Sequence, residues 1–243
     1  MRTARRVGPV AAYVLHHAAY RDSGRILEVL TREHGRLSLF AHGVRRPKSG
    51  LAAALQPFQR LIVTWSGRGE APTLAGAEID ATASRLPAAQ FMSGCYVNEL
   101  ILKLTTRHDS HPELFDLYED TLAGLADAGR RARALRLFEK RLLDAVGFGL
   151  ALTVTAGERK PIDSARRYHF RAQSGAAEAT VDAGGRVYSG AALLALARET
   201  ISDAGQLQEV KPLLRAALDA CLEGRNLRTR DVAAAMRRKQ SGG

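Results

Sequence analysis

Gly35-Arg-Leu-Ser-Leu-Phe-Ala41 decides the fold. Leu37 and Leu39 alternate with Arg36, Ser38 and Phe40, the period of two that sends successive side chains to opposite faces of a strand. Just upstream, Ile26-Leu-Glu-Val-Leu-Thr31 alternates in part and carries β-branched residues, and Gly35 marks the break between the two runs. Further out, Val10 to Tyr20 is apolar with few breakers. Downstream, Phe58 to Trp65 holds Leu61, Ile62, Val63 and Thr64, the turn cluster Ser66-Gly-Arg-Gly-Glu70 comes next, and Thr73 to Ile79 reads as one more strand. Five short strands at roughly ten-residue spacing predict a small closed barrel over residues 1–80. Gly43-Val-Arg-Arg-Pro-Lys-Ser-Gly50 breaks the pattern as a polar loop with three positive charges.

After Pro87 the period changes from two to about 3.6. Phe91, Met92, Cys95, Tyr96, Leu100 and Leu104 form a helical stripe, and Leu114, Leu117, Tyr118, Leu122 and Leu125 form a second. A third helix is expected from Arg130 to Val146, stopped by Gly147-Phe-Gly149. A fourth carries Leu207, Val210, Leu214, Leu218 and Cys221, with Pro212 near its start, and a short last one covers Asp231 to Arg238. Between 151 and 190 periodicity fails, five glycines intervene, and only Tyr168-His-Phe-Arg171 looks like a strand. The expected class is α+β: a barrel at 1–80, then a mainly α-helical domain at 81–243 with a small irregular, partly β insertion.

The chain has 243 residues, of which 46% are hydrophobic and 25% charged, a globular balance. No apolar run approaches the ~20 residues that a bilayer span needs, and no continuous apolar stretch comes after the basic start, so a membrane span and a secretory signal are not expected. Two cysteines, Cys95 and Cys221, exclude a disulfide framework and a four-thiolate zinc site, and a reducing cytoplasm is the expected compartment. The net charge is +11 and is unevenly spread. Residues 1–69 hold 12 basic groups against three acids, a net of +9, whereas 70–243 hold 24 against 22. Thirty of the 36 basic residues are Arg. A GC-rich genome also favours Arg, but the concentration of charge in the barrel segment points to a polyanionic partner.

No catalytic signature is present: no phosphate-binding P-loop, no dinucleotide fingerprint, no nucleophile elbow and no zinc-protease helix motif. The seven histidines lack metal-ligand spacing, so neither a catalytic residue, a metal nor a cofactor is expected. Nucleic-acid binding is the stronger signal. Arg21, Arg25, Arg36, His42, Arg45, Arg46, Lys48 and Arg68 fall in or beside the expected strands and are the candidate phosphate contacts. A merely soluble basic barrel reads the same way. Of the barrel aromatics Tyr13, Tyr20, Phe40, Phe58 and Trp65, alternation turns most inward, so phosphate contacts should outweigh base stacking. On the third expected helix, Arg133, Arg136 and Lys140 share a stripe beside Leu135, Phe138 and Leu142. A positive ridge next to an apolar groove suits an acidic peptide with a hydrophobic end, and it equally describes an amphipathic helix with a solvated face.

Tyr13-Val-Leu-His-His17, Leu30-Thr-Arg-Glu-His-Gly-Arg36, Ala41-His-Gly-Val-Arg-Arg-Pro-Lys-Ser49, Leu55-Gln-Pro-Phe58, Tyr96-Val-Asn-Glu-Leu100, Arg136-Leu-Phe-Glu139 and Leu142-Leu-Asp-Ala-Val-Gly-Phe148 resemble, in order along nearly the whole chain, the bacterial DNA repair protein RecO family. The resemblance implies an N-terminal OB-fold and a helical domain. It implies a non-enzymatic recombination mediator that binds single- and double-stranded DNA and anneals complementary strands. It further implies partnership with RecR, in one pathway RecF, and help in loading RecA onto DNA coated by single-strand-binding protein. The acidic, Phe-ending tail of that coating protein is then the expected ligand of Arg133, Leu135, Arg136, Phe138 and Lys140. Many family members bind zinc through four cysteines in the insertion; residues 151–190 contain no cysteine, so zinc is not expected. The alternatives are an RNA-binding OB protein tied to translation and a metal-dependent nuclease.

Overall fold

In a computed structural model the described residues are 6–44, 50–81, 85–171, 174–180 and 186–241, without the side chains of 237, 240 and 241. Five strands close into a barrel: β1 (Arg6–Tyr20), β2 (Gly24–Thr31), β3 (Gly35–Ala41), β4 (Arg60–Ser66) and β5 (Thr73–Ile79), in the order β1-β2-β3-β5-β4. A short helix, α1 (Leu51–Ala54), stands between β3 and β4. This is the expected OB-fold. β1 serves two neighbours, pairing through Ala12–Tyr20 with β2 and through Arg6–Tyr13 with β4. Register shifts near Val14 and between Val7 and Val10 let one long strand bend around the barrel. The period-two reading holds residue by residue. Leu37, Leu39 and Ala41 of β3 and Leu61, Val63 and Trp65 of β4 fill the interior with Val14, Leu27 and Val29.

The barrel's outer face is covered by helices α2 (Phe91–Leu104) and α3 (Pro112–Ala126). Tyr13 points out of the barrel, and its ring packs against Phe115 at 5.6 Å and Tyr118 at 5.0 Å. The Tyr118 hydroxyl donates to Asn98 Oδ1 at 2.7 Å, and Asn98 Nδ2 donates to the Leu15 carbonyl at 2.8 Å. Every polar atom of this buried chain thus has a partner. Glu28 anchors the β2–β3 hairpin to the α2–α3 loop. Its carboxylate accepts from Arg36 Nη1 at 2.7 Å, Arg107 Nη2 at 2.5 Å and the Ser38 hydroxyl. Gly35, at φ 62°, sits where a Cβ would lie 1.9 Å from the Asp109 carbonyl oxygen, so only glycine lets the hairpin turn approach this loop. The last helix, α7 (Arg228–Ser241), starts on Glu99 of α2, whose carboxylate accepts from the Arg228 and Thr229 amides and the Thr229 hydroxyl at 2.7–2.9 Å.

By packing, the chain forms two compact units, Met1–Ala126 with Arg228–Gly243, and Asp127–Leu227. The division at 80/81 read from sequence marks where strands give way to helices; the packing division differs because α2, α3 and α7 join the barrel. The second unit contains α4 (Arg131–Ala145), α5 (Gly190–Ala197), α6 (Ala204–Leu222) and a three-stranded antiparallel sheet of order β7-β6-β8. The sheet consists of β6 (Arg167–Arg171), β7 (Gly175–Glu178) and β8 (Val187–Ser189), and it fills the expected insertion. Pro212 lies well inside α6, which begins earlier than expected because Asp203 caps it, accepting from the Gln206 amide at 2.8 Å. Among the described residues no helix is long and apolar enough to cross a membrane.

Candidate nucleic-acid interface

The hairpin that joins β1 to β2 ends in a row of flat groups. Tyr20 is 40% exposed, the Arg21 guanidinium lies 5.3 Å over its ring, and Tyr20 meets Phe40 edge-on at 5.3 Å. Phe40 in turn meets His42 at 4.1 Å. Strand register brings these groups together. Tyr20 pairs with Gly24, Phe40 pairs with Ile26 of the same strand β2, and His42 lies two residues beyond Phe40. Gly24 makes room for the row: a Cβ there would stand 2.7 Å from Phe40 Cε2. The β4–β5 loop closes on the same place, because the Phe40 amide donates to the Pro72 carbonyl at 2.8 Å and Phe40 bridges Thr73 of β5. Gly43 and the buried Val44 come next in the chain. Bases stack on such rings regardless of sequence, while guanidinium groups meet phosphates or stack in their own right.

The expected phosphate contacts fare differently. Arg21, His42 and Arg68 are exposed. Arg68, in the β4–β5 loop, lines a shallow groove with Val7, His34 and Gly67. Arg25 is half-buried opposite Ala19 and Ala41, and its Nη1 is shielded with no partner among the described residues. Partial burial and then the Arg25 charge hold the His17 ring below the ordinary imidazole range, so His17 stays neutral at pH 7. Arg45, Arg46 and Lys48 lie outside the described residues. Arg36 is corrected. Its side chain is only 10% exposed, bound to Glu28 and to the Thr105 carbonyl at 2.7 Å, and it is part of the scaffold. Tyr20 and Phe40 face outward, Phe40 on the side of its strand that it shares with Arg36 and Ser38. Their signal was positional, since each sits at a strand end beside a turn, where the interior no longer closes over a side chain.

The helix-borne ridge divides: Arg136 and Phe138 are buried, whereas Arg133, Leu135 and Lys140 are partly exposed. Phe138 is fully buried, and Arg136, 7% exposed, binds Glu139 at 2.7 Å within the same helix. Arg133 donates to the Glu199 and Ile201 carbonyls at 2.7 and 3.0 Å, and Lys140 binds Glu199 and Asp144 at 2.9 and 3.0 Å. Leu135 is half-buried. Arg133 and Lys140 clip α4 to the turn after α5, and with Leu135 they keep part of their surface open. Hydrogen bonds from Arg141, opposed by burial and helped by Lys140, bring the Glu199 carboxyl down to about 2. A depressed carboxylate stabilises the fold above its ordinary value of 4.5, and that contribution is lost as pH falls from there to about 2. Glu199→Gln should therefore flatten the pH dependence of unfolding in this window; measured denaturation midpoints that fall equally steeply in both proteins would refute it.

Two family models cover the chain in order: Recombination protein O N terminal matches residues 9–82, and Recombination protein O C terminal matches residues 89–231. The chain is 39% identical over 221 residues to the DNA repair protein RecO of Methylococcus capsulatus, covering 91% of this chain and 90% of that one. It is 38% identical over 228 residues to the protein of the same name from Nitrosococcus oceani, with 93% of each covered. With that of Aromatoleum aromaticum the identity is 37% over 233 residues, 96% of this chain and 97% of the other.

Proposed function

The chain belongs to the RecO family of DNA repair and recombination proteins, and from that premise we propose that it is a recombination mediator that works by charge and stacking, without covalent chemistry. It binds single- and double-stranded DNA, anneals complementary strands and, with RecR, helps load RecA onto strands coated by single-strand-binding protein; in a cell it acts at the nucleoid, in some lineages with RecF. The observation that supports this reading best is the Arg21–Tyr20–Phe40–His42 row, where the β1–β2 hairpin, the end of β3 and the β4–β5 loop meet. Flat groups there take bases, and Arg21, Arg25 and Arg68, with Arg45, Arg46 and Lys48 of the neighbouring loop, neutralise phosphates. Two strands whose charge is neutralised repel each other less, so pairing nucleates. The coating protein's acidic tail remains a proposed ligand of α4, through the partly exposed Arg133, Leu135 and Lys140 beside the buried Arg136 and Phe138.

The test is annealing of complementary strands alongside the salt dependence of binding. Replacing Arg45, Arg46 and Lys48 by Ala should reduce the slope of log affinity against log salt by roughly two for a single strand, at about 0.7 per lost phosphate contact. The same variant should anneal more slowly. An unchanged slope removes the loop from the interface, and wild-type protein that neither binds nor anneals DNA at low salt ends the mediator reading.

A further inference from the structure

The second unit has a positively charged sheet face that the barrel interface does not use. On β6, Arg167, His169 and Arg171 occupy alternate positions, so they share one side of the sheet, while Tyr168 turns to the other, where it is buried with Tyr188. The groups registered opposite the basic side are small or apolar: Gly175 and Ala177 on β7, Val187 and Ser189 on β8. The acids nearby have partners, Glu209 among them, whose carboxylate accepts from the Ser189 amide and hydroxyl at 2.6 and 2.8 Å at the Arg167 end of the face. Glu178 and Asp163 bind Arg166, and Glu158 binds Lys160. Among the described residues neither Arg167 nor Arg171 has a carboxylate partner, and both are exposed. His169, between them in register, is half-buried, and its Nε2 is shielded with no partner among the described residues.

We propose that this β6 face is a second nucleic-acid site, which takes the sugar-phosphate chain of one strand across the exposed Arg167 and Arg171. Residues four apart on a strand are about 13 Å apart, of the order of twice the spacing between successive phosphates, so the Arg167 and Arg171 guanidinium forks can meet every second phosphate of one chain. The proposal rests on the mediator reading and adds to it that the chain holds two strands at two separate places, one on each compact unit.

The experiment titrates full-length protein with a fluorescein-labelled oligo(dT), which cannot pair with itself, at low ionic strength. Wild type should bind two strands per chain, and Arg167→Glu/Arg171→Glu should bind one, with an unchanged melting temperature because both side chains are solvated. The variant should also anneal complementary strands at least tenfold more slowly. A single strand per wild-type chain, a variant that still binds two, or a variant that loses both would overturn the proposal while leaving the mediator reading in place. An acidic peptide whose binding depends on Arg167 and Arg171, with DNA stoichiometry unchanged, would also overturn it. Wild-type protein that binds no oligo(dT) at all would instead remove the mediator reading, and this site with it.

Discussion

Phe40→Ala should weaken binding of single-stranded oligo(dT) roughly 10- to 100-fold at fixed salt while leaving duplex binding within about threefold. Phe40 touches Tyr20 on one side and His42 on the other, so its loss breaks the row at its centre. Base-on-ring stacking is worth about 1–3 kcal/mol per base, which sets the size of the effect. A duplex keeps its bases stacked on each other and hides their faces, presenting phosphates and groove edges instead, which sets the selectivity. Tyr20→Ala should act in the same direction and Tyr20→Phe should not, because the ring rather than the hydroxyl carries the contact. Fluorescence anisotropy with both probes at one salt concentration decides the matter: equal losses on single strands and duplex would mean that charge alone holds DNA here and that the rings are scaffold.

Glu28→Gln should destabilise the first unit by about 3–5 kcal/mol, the usual consequence of leaving a buried cation without its anion. Glu28 and Arg36 are 11% and 10% exposed, so little water can replace the lost charge. Arg107 shares the same carboxylate and holds the α2–α3 loop against the hairpin turn at Gly35. A loss of this size lowers the melting temperature by roughly 10 °C in a chain of this length. Burial pushes the Glu28 carboxyl up, but hydrogen bonds from Arg107, Ser38 and Arg36 together outweigh it and leave the group below its ordinary value. Its stabilisation is therefore complete above the ordinary carboxylate range and fades as pH drops through it. Calorimetry of wild type and variant from neutral to acid pH should show the difference in melting temperature shrinking as pH falls; a constant difference would mean that packing, not charge, is what the substitution removes.

The barrel was legible because alternation in β3 and β4 is an outcome of the pleat itself: Leu37, Leu39, Leu61 and Val63 had only one side on which to hide. The pairing of the Arg-rich helix was not legible, for an equally physical reason. A run of Arg on one stripe signals a solvated face only when no acid comes back to meet it. Here Glu199 does, from far along the chain and from a backbone at φ 58° that no local rule anticipates. The same holds for Arg36, whose partner Glu28 sits one strand away on the same face. Within 151–190 the aromatic piece Tyr168–Phe170 was readable as a strand. Its neighbours β7 and β8 were not, since Gly175-Ala-Ala-Glu178 and Val187-Tyr-Ser189 are too short and too plain to show a period. Helix α5 escaped as a bare apolar run, which by pattern alone fits strand or helix.

The hydrogen bonds from the start of α7 to Glu99 make the first unit continuous in space but interrupted in the chain. A ribosome therefore delivers the barrel and its two covering helices first, then about a hundred residues of a different body, and only then the segment that completes the first. During that interval the Glu99 carboxylate must make do with water. A premature stop codon anywhere in the second body thus removes more than the remainder of that body: it also deprives the module translated at the outset of its finishing piece.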